Sequence, residues 1–386
     1  MRILKECLRH MKKILFVNDI AYGGGTEKVL QDITANLPED KFDITVLTFI
    51  KDEDFYSHYK KNIRYIYLYE KCMMPEENQS LPLKCINRLK RVQRDRIINR
   101  IINNASFDIA VSIKEGSAMK YVAGLKAARR VAWIHTDYSV LHWSAGCFSC
   151  DADELECMKC FDKVVCVSHN VMNNVKKYVG DSGNMCVLEN PIDERDIMRK
   201  AQEKQNIAAR PDGRLLFVTV GRLCKEKGYD MLIDACARLN AMHMADMYEL
   251  WIVGGGELEQ ELKSQLDRCN VKNVRMLGKQ DNPYKFLKEA DWFVSSSRAE
   301  GYAIAPQEAA ILGIPIIATD CSGVRELLGD SEYGIVIESS TDAICNAMKK
   351  VLDEPEYHEE YAALIGERSK AIKLEVRMKA IEKCLV

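Results

Sequence analysis

Short runs of aliphatic and β-branched residues recur along this chain, each followed by a stretch with helical spacing, and the series runs through twice. In the first series Lys13 to Asn18, Phe42 to Phe49, Ile109 to Ser112, Arg130 to Ile134 and Lys163 to Val167 read as strands. In the second the strands are Leu215 to Val220, Glu249 to Val253, Val274 to Leu277, Trp292 to Ser295, Ile314 to Ala318 and Tyr333 to Ile337. Near-continuous apolar strands need cover on both faces, and helices between successive strands supply it through parallel crossovers. The expected class is therefore α/β, built as two doubly wound, Rossmann-like domains. The polar stretch from Arg199 to Gly213 separates the two series and reads as the interdomain connection. Two such sheets facing each other would leave a cleft outside the carboxyl ends of their strands, where ligands of open parallel sheets bind.

Composition narrows the function only by exclusion. With 47% hydrophobic residues, 29% charged residues and a formal charge of -2 over 386 residues, the chain is globular and lacks the basic excess of a nucleic-acid binder. The fifteen cysteines are scattered through strand-like cores such as Lys163-Val164-Val165-Cys166-Val167, which suits reduced, buried thiols better than a disulfide framework. Ile14 to Val17 is cut short by Asn18 and Asp19, so the amino-terminal segment reads as a first strand of a cytoplasmic protein rather than a signal core. No stretch approaches the roughly 20 apolar residues of a transmembrane helix.

Chemistry-bearing residues gather at strand ends in the second half. After the strand Trp292 to Ser295 comes Ser297-Arg298-Ala299-Glu300-Gly301-Tyr302-Ala303-Ile304-Ala305-Pro306-Gln307-Glu308, in which Gly301 frees the backbone of a loop and Pro306 suits the first turn of a helix that Gly313 can end. Free N–H groups from Tyr302 to Ala305 would attract a diphosphate, and the carboxylates of Glu300 and Glu308 would accept hydrogen bonds from hydroxyls, the two demands of a sugar nucleotide. The alternative is a solvated loop acid and a helix acid favoured by the macrodipole. The segment Gly221-Arg222-Leu223-Cys224-Lys225-Glu226-Lys227-Gly228 offers two cations, Arg222 as a bidentate phosphate partner and Lys227 as a point charge. Ordinary loop cations would read the same way. Gly254-Gly255-Gly256 forms a further turn, either for a ligand or merely to relieve crowding.

The first half holds three features. Gly23-Gly24-Gly25-Thr26 joins the first strand to a helix beginning near Glu27, and His135-Thr136-Asp137 follows the fourth strand. Leu81 to Asn104 carries Lys84, Arg88, Lys90, Arg91, Arg94, Arg96 and Arg100 against the single acid Asp95. Such a helix could lie on an anionic membrane surface, with Ile86, Leu89 and Ile97 on one face, or could be a solvated helix with a core face. Finally, Cys147, Cys150, Cys157 and Cys160 form two Cys-x-x-Cys pairs six residues apart. Four thiolates would make a closed zinc site, but the separation is shorter than paired knuckles use, and Asp153 to Lys163 reads as a helix carrying Cys157 and Cys160, so no metal is expected.

Taken in order, the Gly24 to Glu27 turn, His135 to Asp137, Cys166 to Ser168, Asn190-Pro191-Ile192-Asp193, the Gly221 to Gly228 segment, Val253 to Gly256, Glu300 to Glu308 and Thr319-Asp320 closely resemble the family 4 retaining glycosyltransferases, also called group 1, over nearly the whole chain. The resemblance implies a GT-B fold, two Rossmann-like domains about a cleft. It divides the chain into an acceptor-side domain over 1–200, a nucleotide-sugar-binding domain over 201–365, and a final helix over 366–386 packing back on the first domain. It also implies roles. Arg222 and Lys227 would neutralise the donor diphosphate, Glu308 would bind ribose hydroxyls, Glu300 would contact the transferred sugar and His135 would lie near that sugar. Gly24, Gly25, Gly221, Gly254, Gly301, Tyr302, Ala303 and Ile304 would admit or hold the nucleotide sugar through backbone. Asn190 and Asp193 fit a family motif for which a turn role is equally expected.

The implied activity is transfer of a hexosyl group, with retention, from a nucleotide-diphosphate sugar, UDP most of all, to a saccharide or lipid-linked acceptor in cell-surface polysaccharide or glycolipid synthesis. No cofactor is required. A binding or scaffolding protein of the same fold without transfer activity is the second reading; an epimerase or phosphorylase is a third, the latter disfavoured by the missing lysine-cofactor signature. Ala303 stands where many members carry glycine or proline, and Gly23 is an extra glycine.

Overall fold

A computed structural model describes residues 11–19, 25–51, 59, 62–70, 81–203, 213–302 and 304–386, with backbone alone over 81–85. The chain divides into two compact units, Met1–Pro191 with Glu375–Val386, and Ile192–Leu374.

Among the described residues the first unit carries strands β1 (Lys12–Asn18), β2 (Phe42–Ile50), β3 (Arg64–Tyr69), β4 (Ile109–Ser112), β5 (Arg129–Ile134), β6 (Lys163–Cys166) and β7 (Met185–Val187). They lie in the order β3-β2-β1-β4-β5-β6-β7, and every pair is parallel. The sequence expectation named the inner strands and omitted β3 and β7. Both are edge strands, β7 is three partly exposed residues, and neither has the apolar run by which inner strands are recognised. The second unit carries β8 (Leu215–Val220), β9 (Tyr248–Val253), β10 (Val274–Gly278), β11 (Trp292–Ser295), β12 (Ile316–Thr319) and β13 (Ile335–Ile337), in the order β10-β9-β8-β11-β12-β13 and again parallel throughout. Each order reverses direction beside the first strand of its series, so the loops after β1 and β4, and after β8 and β11, diverge around an open crevice at the strand ends.

The hydrophobic layers explain why these strands are inner. Phe217, Tyr248, Leu250 and Trp292 pack under one face of the second sheet with Leu232, Leu239, Ile344 and Met348 from helices Tyr229–Ala241 and Thr341–Asp353. Leu216, Trp251 and Phe293 face the opposite layer with Ala309, Ala310 and Leu328.

The units divide at Pro191 and Glu375 where the sequence suggested 200 and 366, and packing gives the reason. Helix Glu194–Ala201 buries Ile197 and Ala201 against Tyr284 of the second unit. Asp193 caps that helix, accepting from the N–H groups of Arg195 and Asp196 at 3.0 and 3.1 Å, which is the turn role foreseen for it. At the other end, where a single final helix was expected over 366–386, there are two, Glu356–Ser369 and Leu374–Leu385. Between them Ile372 is 2% exposed in the second unit's core, and the Leu374 N–H donates to the Glu194 carboxylate at 3.1 Å. The last helix then joins the first unit: Arg377 donates to the Asn190 carbonyl at 2.7 Å, Arg129 to the Cys384 carbonyl at 2.9 Å, and Lys41 pairs with Glu382 at 2.6 Å.

Helix Leu81–Ala105 turns Ile98 and Ile102 inward and leaves the Ile86, Leu89 and Ile97 face open. Among its described side chains Asn87, Ile98 and Ile102 are buried, and Arg94 lies 4.7 Å over the Tyr67 ring of β3. Ile86, Leu89, Val92, Ile97 and Ile101 are exposed, with Arg88, Lys90, Arg96 and Arg100 interspersed on the same surface.

Candidate active site

In the second unit three loops at the carboxyl ends of adjacent strands are pressed together backbone to backbone. Gly254 donates to the Gly278 carbonyl at 2.9 Å and adopts φ +153°, and a Cβ there would stand 1.8 Å from the Gly221 carbonyl oxygen. A Cβ on Gly256 would meet the Leu223 carbonyl at 2.4 Å. Gly221, Gly254 and Gly256 therefore serve close approach of backbone, while Gly255 has room for a side chain.

Lys227 ends a single 3-10 turn, Lys225–Lys227, that stops at Gly228 in the left-handed region with φ +62°. That conformation lets the Gly228 backbone touch Ser296, whose hydroxyl donates to the Lys227 carbonyl at 2.8 Å. The Arg298 N–H donates to Glu226 at 2.7 Å, and the Arg298 guanidinium grips Asp230 through two 2.6 Å bonds. The two loops thus form one stitched platform, on which the Lys227 ammonium and the Glu300 carboxylate pair directly. Ser297 donates to the same Glu300 oxygen at 2.8 Å, and the Ser297 carbonyl is held by Thr319 and Cys321 at 2.5 and 2.9 Å. Burial is the largest single influence on Lys227 and lowers its pKa, but the charge and hydrogen bond of Glu300, with Tyr229 and Cys224, together outweigh it and hold Lys227 above its ordinary value, cationic. Arg222 projects outward from the turn before, likewise held charged by Cys224, Glu257 and Glu226 against its desolvation.

Glu308 lies in helix Ile304–Ile311, 5% exposed, and accepts from the Tyr284 hydroxyl at 2.8 Å. Gly301 and Tyr302 are buried in the loop between; Ala303 lies outside the described residues, while Ile304 begins the helix. Asp320 is engaged with Arg325, at 2.7 to 3.0 Å. The structure thus brings Gly221, Arg222, Lys227, Gly254, Glu300, Gly301 and Glu308 onto one end of one sheet. Sequence reasoning passed over Tyr284 and Ser297, whose importance lies only in what they touch.

In the first unit Gly24 lies outside the described residues and Gly25 opens helix Gly25–Asn36. His135 follows β5; its ring donates to the Ile113 carbonyl, and Nε2 is buried with no partner among the described residues. Burial pushes its pKa down, against the pull of Glu115 and Glu27, so the ring is neutral and Nε2 offers a lone pair, the partner a hydroxyl needs. Since the unfolded ring titrates near 6.5 and the folded ring below it, stability is complete above about pH 6.5 and falls as the pH drops through that range. The melting temperature of the wild type is expected to decline from pH 7 to pH 5 more steeply than that of His135→Asn; parallel slopes would contradict a buried neutral ring.

The four clustered cysteines are free thiols, Cys150 and Cys160 exposed, and Cys160 donates to the Glu156 carbonyl at 3.4 Å within its own helix. Burial lifts the Cys157 thiol to about 12. Among the described residues no three His, Cys, Asp or Glu side chains are grouped to hold a metal ion.

The model of the glycosyl transferases group 1 matches residues 198–368, and that of glycosyltransferase family 4 matches residues 23–196. The chain belongs to the family 4 glycosyltransferases. The N-acetylgalactosamine-N,N'-diacetylbacillosaminyl-diphospho-undecaprenol 4-alpha-N-acetylgalactosaminyltransferase of Campylobacter jejuni is 32% identical over 188 residues, 48% of this chain and 49% of that protein. The Escherichia coli UDP-Gal:alpha-D-GlcNAc-diphosphoundecaprenol alpha-1,3-galactosyltransferase is 28% identical over 209 residues, 52% of this chain and 54% of that one. The chain thus spans about half the length of these curated relatives. Anabaena HepE, solved in complex with UDP-glucose, superposes over 97% of this chain and 99% of its own with a TM-score of 0.75 at 19% identity, a likeness of fold. Both family 4 units are the paired Rossmann-like sheets of the GT-B class.

Proposed function

We propose that this family 4 protein transfers a hexosyl group, with retention, from a nucleotide-diphosphate sugar to a saccharide or lipid-linked acceptor in cell-surface polysaccharide or glycolipid synthesis. The observation that carries the reading is the Lys227–Glu300 pair on the stitched platform, with Arg222 beside it and Glu308 behind. An ammonium has three N–H donors, so Lys227 can hold Glu300 and still meet a diphosphate oxygen. Arg222 grips the phosphate from the exposed side and the amides at the start of helix Ile304–Ile311 cap it. Glu308, aimed by Tyr284, accepts from the ribose, and Glu300 accepts from the sugar that is transferred.

As the glycosidic bond breaks, negative charge grows on the departing diphosphate. Lys227, Arg222 and the helix amides stabilise it where it develops, and the sugar passes through an oxocarbenium-like state met on the same face by the acceptor hydroxyl, whose proton passes to the departing diphosphate. Fixed cations do the charge work, so the reaction is proposed to need no metal, and neither Glu300 nor Glu308 acts as a nucleophile. UDP is the proposed nucleotide and a polyprenyl-diphosphate saccharide the proposed acceptor, classes printed in the names of the Escherichia coli and Campylobacter relatives. Release of UDP in the presence of a chelator, on mixing a UDP-sugar with such an acceptor, tests the reading. A UDP-sugar panel that gives neither thermal stabilisation nor UDP release would overturn it.

Among the described residues no helix is long and apolar enough to cross a membrane. We propose that the protein reaches a lipid-linked acceptor by peripheral contact through helix Leu81–Ala105, whose exposed Ile86, Leu89, Val92, Ile97 and Ile101 sit among exposed basic residues. With each surface cation contributing about 1 kcal/mol, reversing Arg88, Lys90, Arg96 and Arg100 to glutamate is expected to abolish flotation with anionic liposomes. Unchanged flotation would sink the membrane proposal and leave the transferase reading standing.

A further inference from the structure

The turn after β4 contains an acid that the reaction proposed above does not use. Glu115 is 1% exposed, and among the described residues its hydrogen-bond donors all come from the segment after β5. One oxygen accepts the His135 backbone N–H at 3.0 Å; the other accepts the Thr136 hydroxyl and the Trp143 indole N–H, the latter at 2.9 Å. Its neighbours in sequence brace the same loop. Lys114 pairs with Asp19 at the end of β1, 3.2 Å away, and lies 4.7 Å over the Trp143 ring. Gly116 adopts φ +79°, and a Cβ there would stand 2.8 Å from the indole. Lys114, Glu115 and Gly116 form a splint for the loop that begins at His135.

We infer that Glu115 is a positioning residue for His135: it fixes the first peptide of the loop so that the unpartnered Nε2 is aimed at the hydroxyl it accepts. The burial supports this, because a carboxylate this far from water is held only where its acceptor capacity is met, and here all three donors belong to the loop carrying the histidine. Moving a reacting contact by about 1 Å lowers a rate about a hundredfold. In Glu115→Gln one of the two acceptor oxygens becomes an amide N–H facing a donor, so the His135 peptide or the Thr136–Trp143 pair must shift.

The inference rests on the transferase reading, and its test separates the two. Turnover of Glu115→Gln is expected to fall about a hundredfold in kcat, with UDP affinity by calorimetry unchanged because the second unit's residues hold the nucleotide. In a His135→Ala background the same substitution should add less than about threefold, the mark of two residues acting as one. An equal loss in both backgrounds, or loss of UDP affinity along with kcat, overturns it. Trp143→Phe, which removes one donor and leaves the hydrogen bond from the His135 N–H to Glu115 intact, should cost less than about a tenth of that effect. If Glu115→Gln fails to fold, Glu115→Asp carries the same comparison. Histidine-selective nitrogen-15 spectra need no turnover: the His135 ring signals, identified by their loss in His135→Ala, should move in the Glu115 variant. Static signals refute positioning even if the protein transfers nothing, whereas moved signals without turnover refute only the transferase reading.

Discussion

Lys227→Ala is expected to lower kcat/KM for nucleotide-sugar turnover by about a thousandfold, the largest single effect in the second unit. Two losses combine. The positive charge that meets the departing diphosphate disappears, and Glu300 loses the ammonium that shares its orientation with Ser297. A donor aimed at developing charge acts mainly on the transition state, so the fall should appear in kcat more than in KM. Glu300→Gln keeps the Ser297 hydrogen bond and should lose about a hundredfold on its own, yet little more in a Lys227→Ala background. Steady-state kinetics on the four proteins of this cycle decide the matter: a Lys227→Ala loss below about tenfold, or fully additive losses, would separate the pair from catalysis.

The second large effect concerns stability and sets two adjacent glycines against each other. Gly254→Ala would place a Cβ 1.8 Å from the Gly221 carbonyl oxygen, on backbone at φ +153°. No side-chain rotation relieves a collision between a Cβ and a main-chain oxygen, so the loops after β8 and β9 must part. The expected destabilisation is at least about 2 kcal/mol, a fall in melting temperature of about 4 to 8 °C. At Gly255 the nearest atom to an added Cβ is Lys279 Cβ, at 3.4 Å, and the alanine variant should melt within a degree or two of wild type. Matching melting curves for the two variants would contradict the packing described.

Inner strands were legible because covering both faces leaves an apolar run, as in Ile14 to Val17 and Trp292 to Ser295; β3 and β7, half open, leave none. Lys227 and Glu300 were legible because motifs place them beside glycines in loops after strands, and Glu308 because it follows eight residues on in the helix after Pro306, placements fixed by the chain itself. Their mutual geometry was not: the ion pair depends on Gly228 touching Ser296 across sixty-odd residues. Glu115 followed the same rule of position, directly after a strand in a Lys-Glu-Gly turn, and could have been found by it. Tyr284 left no such signal, since a tyrosine opening a short helix is common and only its hydroxyl contact distinguishes it. The sequence left open which face of helix Leu81–Ala105 turns inward, because Ile98 and Ile102 stand next to arginines in the helical projection, and only β3, itself unforeseen, fixes that side.

The return of residues 375–386 to the first unit bears on the order in which the protein is made. Arg377, Cys384 and Glu382 supply partners to Asn190, Arg129 and Lys41, so the sheet synthesised first lacks part of its own packing while the whole second unit is translated. A ribosome that stalls between residues 191 and 375 therefore leaves the first unit's unmet surface exposed to chaperones and proteases.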